Sequence, residues 1–129
     1  MEALVDRMIQ AHHWAVVGVS ADETKFGTRV WRALKAHGRR ADGVNPRLPA
    51  LDGEALYADL ADLTDRPEVV CAVVPPTLAR GVLETCVRLG IGQAWFQPGA
   101  EDADAIRWAV AQGMRVVSGG PCVLVELDR

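Results

Sequence analysis

Apolar residues along this chain alternate between two spacings. Leu4, Val5, Met8 and Ile9 recur at helical intervals and predict a short helix over residues 2–11. Trp14 to Val19 is apolar on both faces, as a central parallel strand requires. From Phe26 to His37 the period returns to that of a helix. Val30, Trp31 and Leu34 form its inner face and Gly38 its C-terminal cap. Residues 40–44 read as a weaker second strand, 68–74 as a strongly apolar third, 92–96 as a fourth and 114–118 as a fifth.

The intervening segments carry helical spacing. Tyr57, Leu60 and Leu63 predict a short helix beneath a Pro/Gly-rich loop at 45–53. Thr77 is placed to cap a helix running to Leu89, with Leu78, Val82, Cys86 and Leu89 on one face. Residues 101–112 predict another helix, with Glu101, Asp102 and Asp104 favourable to its dipole. The tail from Gly119 starts as a turn and is expected to end as a short strand or extended edge.

Strands alternating with helices predict an α/β fold of three layers, α/β/α. Its five-stranded parallel sheet is expected in the order 3-2-1-4-5. The length of 129 residues fits one domain spanning 1–129. Such a chain buries roughly two-thirds of the surface its unfolded form exposes, enough for a core without metal or disulfide staples. In this architecture the loops at the C-terminal strand ends line a crevice. Those loops are Gly18–Ser20, Asn45–Arg47, Pro75–Pro76, Gln97–Gly99 and Gly119–Cys122.

Composition narrows the classes of partner. A net charge of −3 gives no electrostatic reason to expect nucleic acid, so any anion site must be local. The N-terminus has early acids and no long apolar core, and no run approaches a membrane span. No membrane association and a cytoplasmic location are expected. Cys71, Cys86 and Cys122 form no CxxC pair, which supports neither zinc nor a disulfide framework. Cys71 and Cys86 fall in apolar strand and helix patterns and read as small core residues. His12 and His13 are adjacent on an extended chain and point to different sides, so they do not share a metal. Trp14, Trp31, Trp95 and Trp108 are scattered over separate elements and read as core or subunit-interface residues.

The loop after the first strand carries the strongest chemistry. A buried strand that ends in a tight Gly turn and opens a helix makes a site for a phosphate group. Gly18 and Ser20 supply the turn, Ser20 a hydroxyl donor and Lys25 a mobile positive charge. The same residues also serve as ordinary strand-to-helix turn chemistry, and both readings stand. The loop is not a dinucleotide fingerprint, because G-x-G-x-x-G needs glycines where this chain has Ser20 and Glu23. At the end of the second strand, where an NAD site has an acid, the chain has Asn45, Pro46 and Arg47. Arginine there matches a phosphate better than a free diol, although Asn45–Pro46 is also turn chemistry and Arg47 also a surface charge. Pro75–Pro76 either packs against a ligand or only ends the third strand. No GxxxxGK[ST] is present.

Five motifs in order, VVGVS at 16–20, VNPR at 44–47, VVPP at 73–76, WFQPG at 95–99 and GGPCVL at 119–124, resemble the small single-domain coenzyme A-binding proteins. These are stand-alone Rossmann-like domains similar to the CoA-binding domain of the succinyl-CoA synthetase α chain. The resemblance runs from about Ala11 to Leu124. It implies that Gly18, Val19 and Ser20 approach the pyrophosphate of coenzyme A. Asn45, Pro46 and Arg47 would lie by the adenosine ribose and its 3′-phosphate. Val74, Pro75 and Pro76 would pack against the nucleotide or the start of the pantetheine arm, with Gln97 and Gly99 further along. The chain departs from the family at Ala21–Gly27, where Asp22 and Glu23 flank the phosphate turn and require Lys25 or Arg29 to offset them.

Cys122 follows Gly119–Gly120–Pro121 at a strand end facing the crevice. It reads either as a partly buried small residue or as a thiol able to form a mixed disulfide with bound CoA. No nucleophile, base and orienting group can be placed together in the crevice. Non-catalytic binding of CoA or an acyl-CoA is therefore the expectation, with a homo-oligomer or an enzyme as possible partner. Two alternatives stay open: an NAD(P)-binding redox or regulatory domain, in which Arg47 holds a 2′-phosphate, and an interaction module that binds no small ligand.

Overall fold

The computed structural model describes every residue from Met1 to Arg129. Five strands form one parallel sheet: β1 (His13–Val17), β2 (Arg40–Val44), β5 (Val69–Ala72), β6 (Gln93–Phe96) and β7 (Arg115–Val117). A two-stranded antiparallel hairpin, β3 (Ala50–Leu51) and β4 (Glu54–Ala55), follows β2. The helices are α1 (Glu2–Ile9), α2 (Phe26–Ala36), α3 (Ala79–Leu89), α4 (Ala103–Ala111) and α5 (Val123–Leu127). No helix is long and apolar enough to cross a membrane.

Side chains alternate across the pleat and divide the core in two. Trp14, Val16, Val69, Cys71, Trp95 and Val117 face α1, α2 and α5. Ala15, Val70, Ala72, Ala94 and Phe96 face α3 and α4. This is the expected α/β/α sandwich. Helix α2 ends as its sequence predicts. Gly38 takes φ +79°, the N–H of Arg39 reaches Leu34 O at 2.9 Å, and that of Gly38 reaches Lys35 O at 3.0 Å.

The strand order is β2-β1-β5-β6-β7, or 2-1-3-4-5 counted within the sheet, and this corrects the expected 3-2-1-4-5. The third sheet strand pairs with β1, Trp14 opposite Val69. The outer edge of β2 is already occupied. Tyr57 donates its N–H to Gly43 O and accepts from the N–H of Asn45, both at 2.9 Å. The chain leaving β2 thus closes that edge itself, and the next strand enters on the far side of β1. The topological switch point falls between β1 and β5.

Three local expectations also change. Thr77 caps nothing: Pro76–Leu78 forms a 3-10 turn and α3 begins at Ala79. The tighter turn advances each residue by about 120° rather than 100°. Ala79, Leu83 and Cys86 consequently face the core, and Leu78 is 56% exposed. The helix expected near Tyr57 is a 3-10 turn at Leu60–Asp62, capped by Asp59 through the N–H of Ala61. The tail is helix α5 rather than a strand. Val123 and Leu127 are buried while Val125 between them is 52% exposed, a pattern a strand, which puts all three on one face, would not give.

Candidate functional site

The site grows from Gly18, where β1 ends. Its φ of +111° lies outside the range ordinary residues adopt. A Cβ there would sit 2.0 Å from the carbonyl oxygen of Val73 at the end of β5. The bare backbone therefore lets the loops after β1 and β5 touch. Gly27 plays the matching part in the first turn of α2, where a Cβ would lie 2.1 Å from Gly18 O. Thr28 secures the turn: its hydroxyl donates to Ser20 O at 2.7 Å and accepts the Ser20 N–H at 3.0 Å. Gly27 and Thr28 escaped the sequence reading. A glycine followed by threonine in the first helical turn was the available signal.

This geometry selects which groups can meet an anion. The N–H of Gly18 is bonded to Val44 O at 3.2 Å, and the N–H of Ser20 is held by Thr28. Val19 and Thr28 are fully buried, backbone included, and Gly27 is buried beside them, which leaves Phe26 as the exposed residue at the start of α2. The N–H groups of Val19, Phe26, Gly27 and Thr28 have no partner in the chain. The last three open α2, at the positive end of its dipole. The Ser20 hydroxyl accepts the N–H of Asp22 at 3.2 Å and keeps its own proton to donate.

The two acids of this loop are turned to internal work. Asp22 accepts the N–H and hydroxyl of Thr24 at 2.9 and 2.6 Å, and these bonds hold its carboxyl below the usual range. Glu23 pairs with Arg32 at 3.1 Å. Lys25, Arg29 and Arg47 pair with no carboxylate. The guanidinium of Arg29 lies 5.0 Å from the centre of the exposed Phe26 ring.

Asn45 at the end of β2 is a tie between loops. Its Nδ2 donates to Val19 O at 2.7 Å, and its Oδ1 accepts the N–H groups of Arg47 and Leu48 at 2.7 and 2.9 Å. Pro46 and Arg47 stand exposed on the turn it shapes.

A cavity of about 430 Å³ opens between these loops and α3. Val17, Gly18, Val44 and Val73 belong to its strand-end side. Val74, Pro75, Leu60, Leu78 and Val82 complete the apolar wall. Asn45, Asp59 and Thr85 supply its polar side chains. The structure thus brings together Gly18, Asn45, Pro46, Val74 and Pro75 of the predicted set. Val19, Ser20, Lys25, Arg47 and Pro76 do not line the cavity. The contributions of Leu60 and Asp59 had no local signal, because they arrive from a segment folded back by the Tyr57 bridge.

Gln97, Gly99 and Cys122 lie further along the same sheet edge. Gln97 is 2% exposed; its Nε2 meets Cys122 Sγ at 3.2 Å and its Oε1 accepts the Val123 N–H at 2.8 Å. Its amide fastens the start of α5 to β6. Gly99 has φ +93° and donates its N–H to Glu101 at 3.0 Å. Cys122 is partly exposed, whereas Cys71 and Cys86 are buried. Burial pushes the Cys86 thiol up to about 12 and that of Cys71 higher still. His13 sits at the opposite end of β1, its Nε2 2.7 Å from Asp42.

Known proteins share this architecture and sequence. The α subunit of an ADP-forming acetate–CoA ligase II from Pyrococcus furiosus is 24% identical over 131 aligned positions, covering 93% of this chain. This chain spans 28% of that subunit and 11% of a second ADP-forming acetate–CoA ligase, from Methanocaldococcus jannaschii. A hypothetical protein from Pyrococcus horikoshii OT3 superposes with a TM-score of 0.91 at 26% identity, covering 99% of this chain and 89% of that one. A dinucleotide-forming acetyl-coenzyme A synthetase of Ca. Korarchaeum cryptofilum, solved with phosphate and ADP, gives 0.77 at 28% identity over 88% of this chain and 27% of its own. The model of the CoA binding domain matches residues 12–128, and with the glycine turn, the Asn45 tie and the order of strands in place, the chain belongs to the family of CoA-binding domains.

Proposed function

We propose that this chain binds coenzyme A or an acyl-CoA through the ADP moiety and catalyses no reaction on its own. The observation that carries the reading is one juxtaposition. An apolar cavity of about 430 Å³ at the switch point adjoins a helix start whose first three N–H groups have no partner. The adenine ring enters the cavity against Val44, Val73 and Leu78. The pyrophosphate lies over Gly18 and meets the exposed start of α2 at Phe26, with the Ser20 hydroxyl and Lys25 beside it. Arg47, on the Asn45 turn, receives the 3′-phosphate. The pantetheine arm leaves past Pro75 and Pro76 toward Gln97, Gly99 and Cys122.

No nucleophile–base pair lies at this edge, and the His13–Asp42 pair is at the other end of β1. The matched ligase and synthetase are several times longer, so an enzyme partner that supplies the chemistry fits this chain. NADP is the competing nucleotide, because Arg47 would equally suit a 2′-phosphate.

Calorimetric titration of ligand-stripped protein separates these readings. Saturable binding of CoA, weaker for dephospho-CoA and absent for NAD and NADP, is expected. Tighter binding of NADP than of CoA would overturn the assignment, as would no binding of CoA by folded protein.

A further inference from the structure

We infer that Arg32 is a positioning residue for the anion site, holding both ligand loops in place and withdrawing Glu23 from the phosphates. This inference rests on the CoA reading and concerns what makes that site possible despite its acids.

Arg32 lies on α2, beyond the helix start. Its Nε and Nη2 each donate to Asp52 at 2.8 Å, a bidentate pair, and its Nη1 donates to Glu23 at 3.1 Å. One guanidinium thus spans three segments. Glu23 belongs to the turn after Gly18, and Asp52 to the hairpin that follows Arg47. Lys35, one turn further along α2, pairs with Glu54 on the same hairpin. Both ties run from one helix to one hairpin.

Asp52 is built for this contact. It is the one non-glycine residue with positive φ, at +54°, and Gly53 beside it has φ +76°. That pair of dihedrals is the tight Asp–Gly hairpin turn, which hands the aspartate side chain to α2. The guanidinium is only 34% exposed at its side chain, and its fork geometry gives the pair direction as well as charge.

The electrostatic consequence follows from the local charges. The segment from Ser20 to Lys25 holds two acids and one base. Asp22 is already occupied by Thr24. Without Arg32, Glu23 becomes an unpaired negative charge on the loop that faces the pyrophosphate, where like charge weakens binding. At the same time the hairpin, which follows the Asn45–Arg47 turn directly in the chain, loses its bidentate anchor.

Isothermal titration of the intact chain with CoA tests this. Arg32→Gln is expected to weaken CoA binding roughly three- to tenfold, the range of a partly exposed charge network. Adding Glu23→Gln to Arg32→Gln should recover a substantial part of the loss, because the released charge is gone. Arg32→Gln binding as tightly as wild type would overturn the inference. So would failure of Glu23→Gln to restore any affinity, since a purely mechanical fastening is indifferent to that charge. Should Arg32→Gln not fold by circular dichroism, Asp52→Asn carries the test. It should weaken CoA and leave dephospho-CoA little changed, and equal effects on the two ligands would refute the role of the hairpin. Wild-type protein that is folded and takes up no CoA would instead remove the ligand reading, and this inference with it.

Discussion

Replacing Gly18 with alanine combines two costs that a second glycine allows to be separated. The first is conformational: a side chain at φ +111° costs about 1–2 kcal/mol, as for other left-handed placements. The second is steric: the new Cβ meets Val73 O at 2.0 Å, and the obstacle is backbone rather than a yielding side chain. The β1 and β5 loops must then part, which disturbs the ladder that brings the Val73 N–H to Val17 O at 2.9 Å. Loss of packing and of a buried backbone bond brings the expected total to about 3–5 kcal/mol. Against a stability of about 5–15 kcal/mol, this leaves a folded but fragile protein. Gly99→Ala is the control. Its φ is +93°, yet nothing lies within 4 Å of the added carbon, so only the conformational cost of about 1–2 kcal/mol applies. Urea denaturation of both variants, read at unchanged slope, gives the difference. Equal destabilisation by the two substitutions would refute the argument that close approach, rather than dihedral preference, requires Gly18.

Arg47→Ala should weaken CoA binding markedly and dephospho-CoA little, with the gap narrowing as salt rises; equal losses in calorimetry would deny Arg47 the 3′-phosphate. Treatment with CoA disulfide followed by peptide mass spectrometry should place the adduct on Cys122, because Cys71 and Cys86 are buried and their thiols are held protonated. Labelling spread evenly over the three, or none, would exclude a thiol role for Cys122. Glu68 accepts the N–H groups of His13 and His12, bonds that hold its carboxyl below the usual value of 4.5. Its contribution is therefore present above the unfolded pKa and lost as pH falls through the lower folded one. Glu68→Gln should flatten the acid limb of urea midpoints measured between neutral and about pH 3, by under about 1 kcal/mol given the exposure of the site. An unchanged pH profile would show that the carboxylate adds nothing to the end of β1.

The sequence by itself determined the order and type of the five sheet strands and of helices α1 to α4, because each rests on local periodicity, but not the β3–β4 hairpin, the two 3-10 turns or α5. The apolar run at 14–17, the helical stripe of Val30, Trp31 and Leu34, and the Gly38 cap are all written within a few residues. It also marked the strand-end loops that converge, and the five motifs that carry the family resemblance. What it left undecided depends on contacts between distant segments. Strand order turned on whether the residues after β2 occupy its outer edge, which the Tyr57 bridge to Val44 settles. The inner face of α3 turned on a 3-10 turn at Pro76–Leu78 that shifts the helical phase. The fold commits the amides of Asn45 and Gln97 to Val19, Arg47, Leu48, Val123 and Cys122, while Asn45 also lines the cavity. The acids at 22 and 23 stand beside the glycine turn in the sequence, and the fold occupies them with Thr24 and Arg32. Hydrophobic period is encoded one turn or one strand at a time. Which polar group is left for a ligand is decided only when every other one has found its partner in the folded chain.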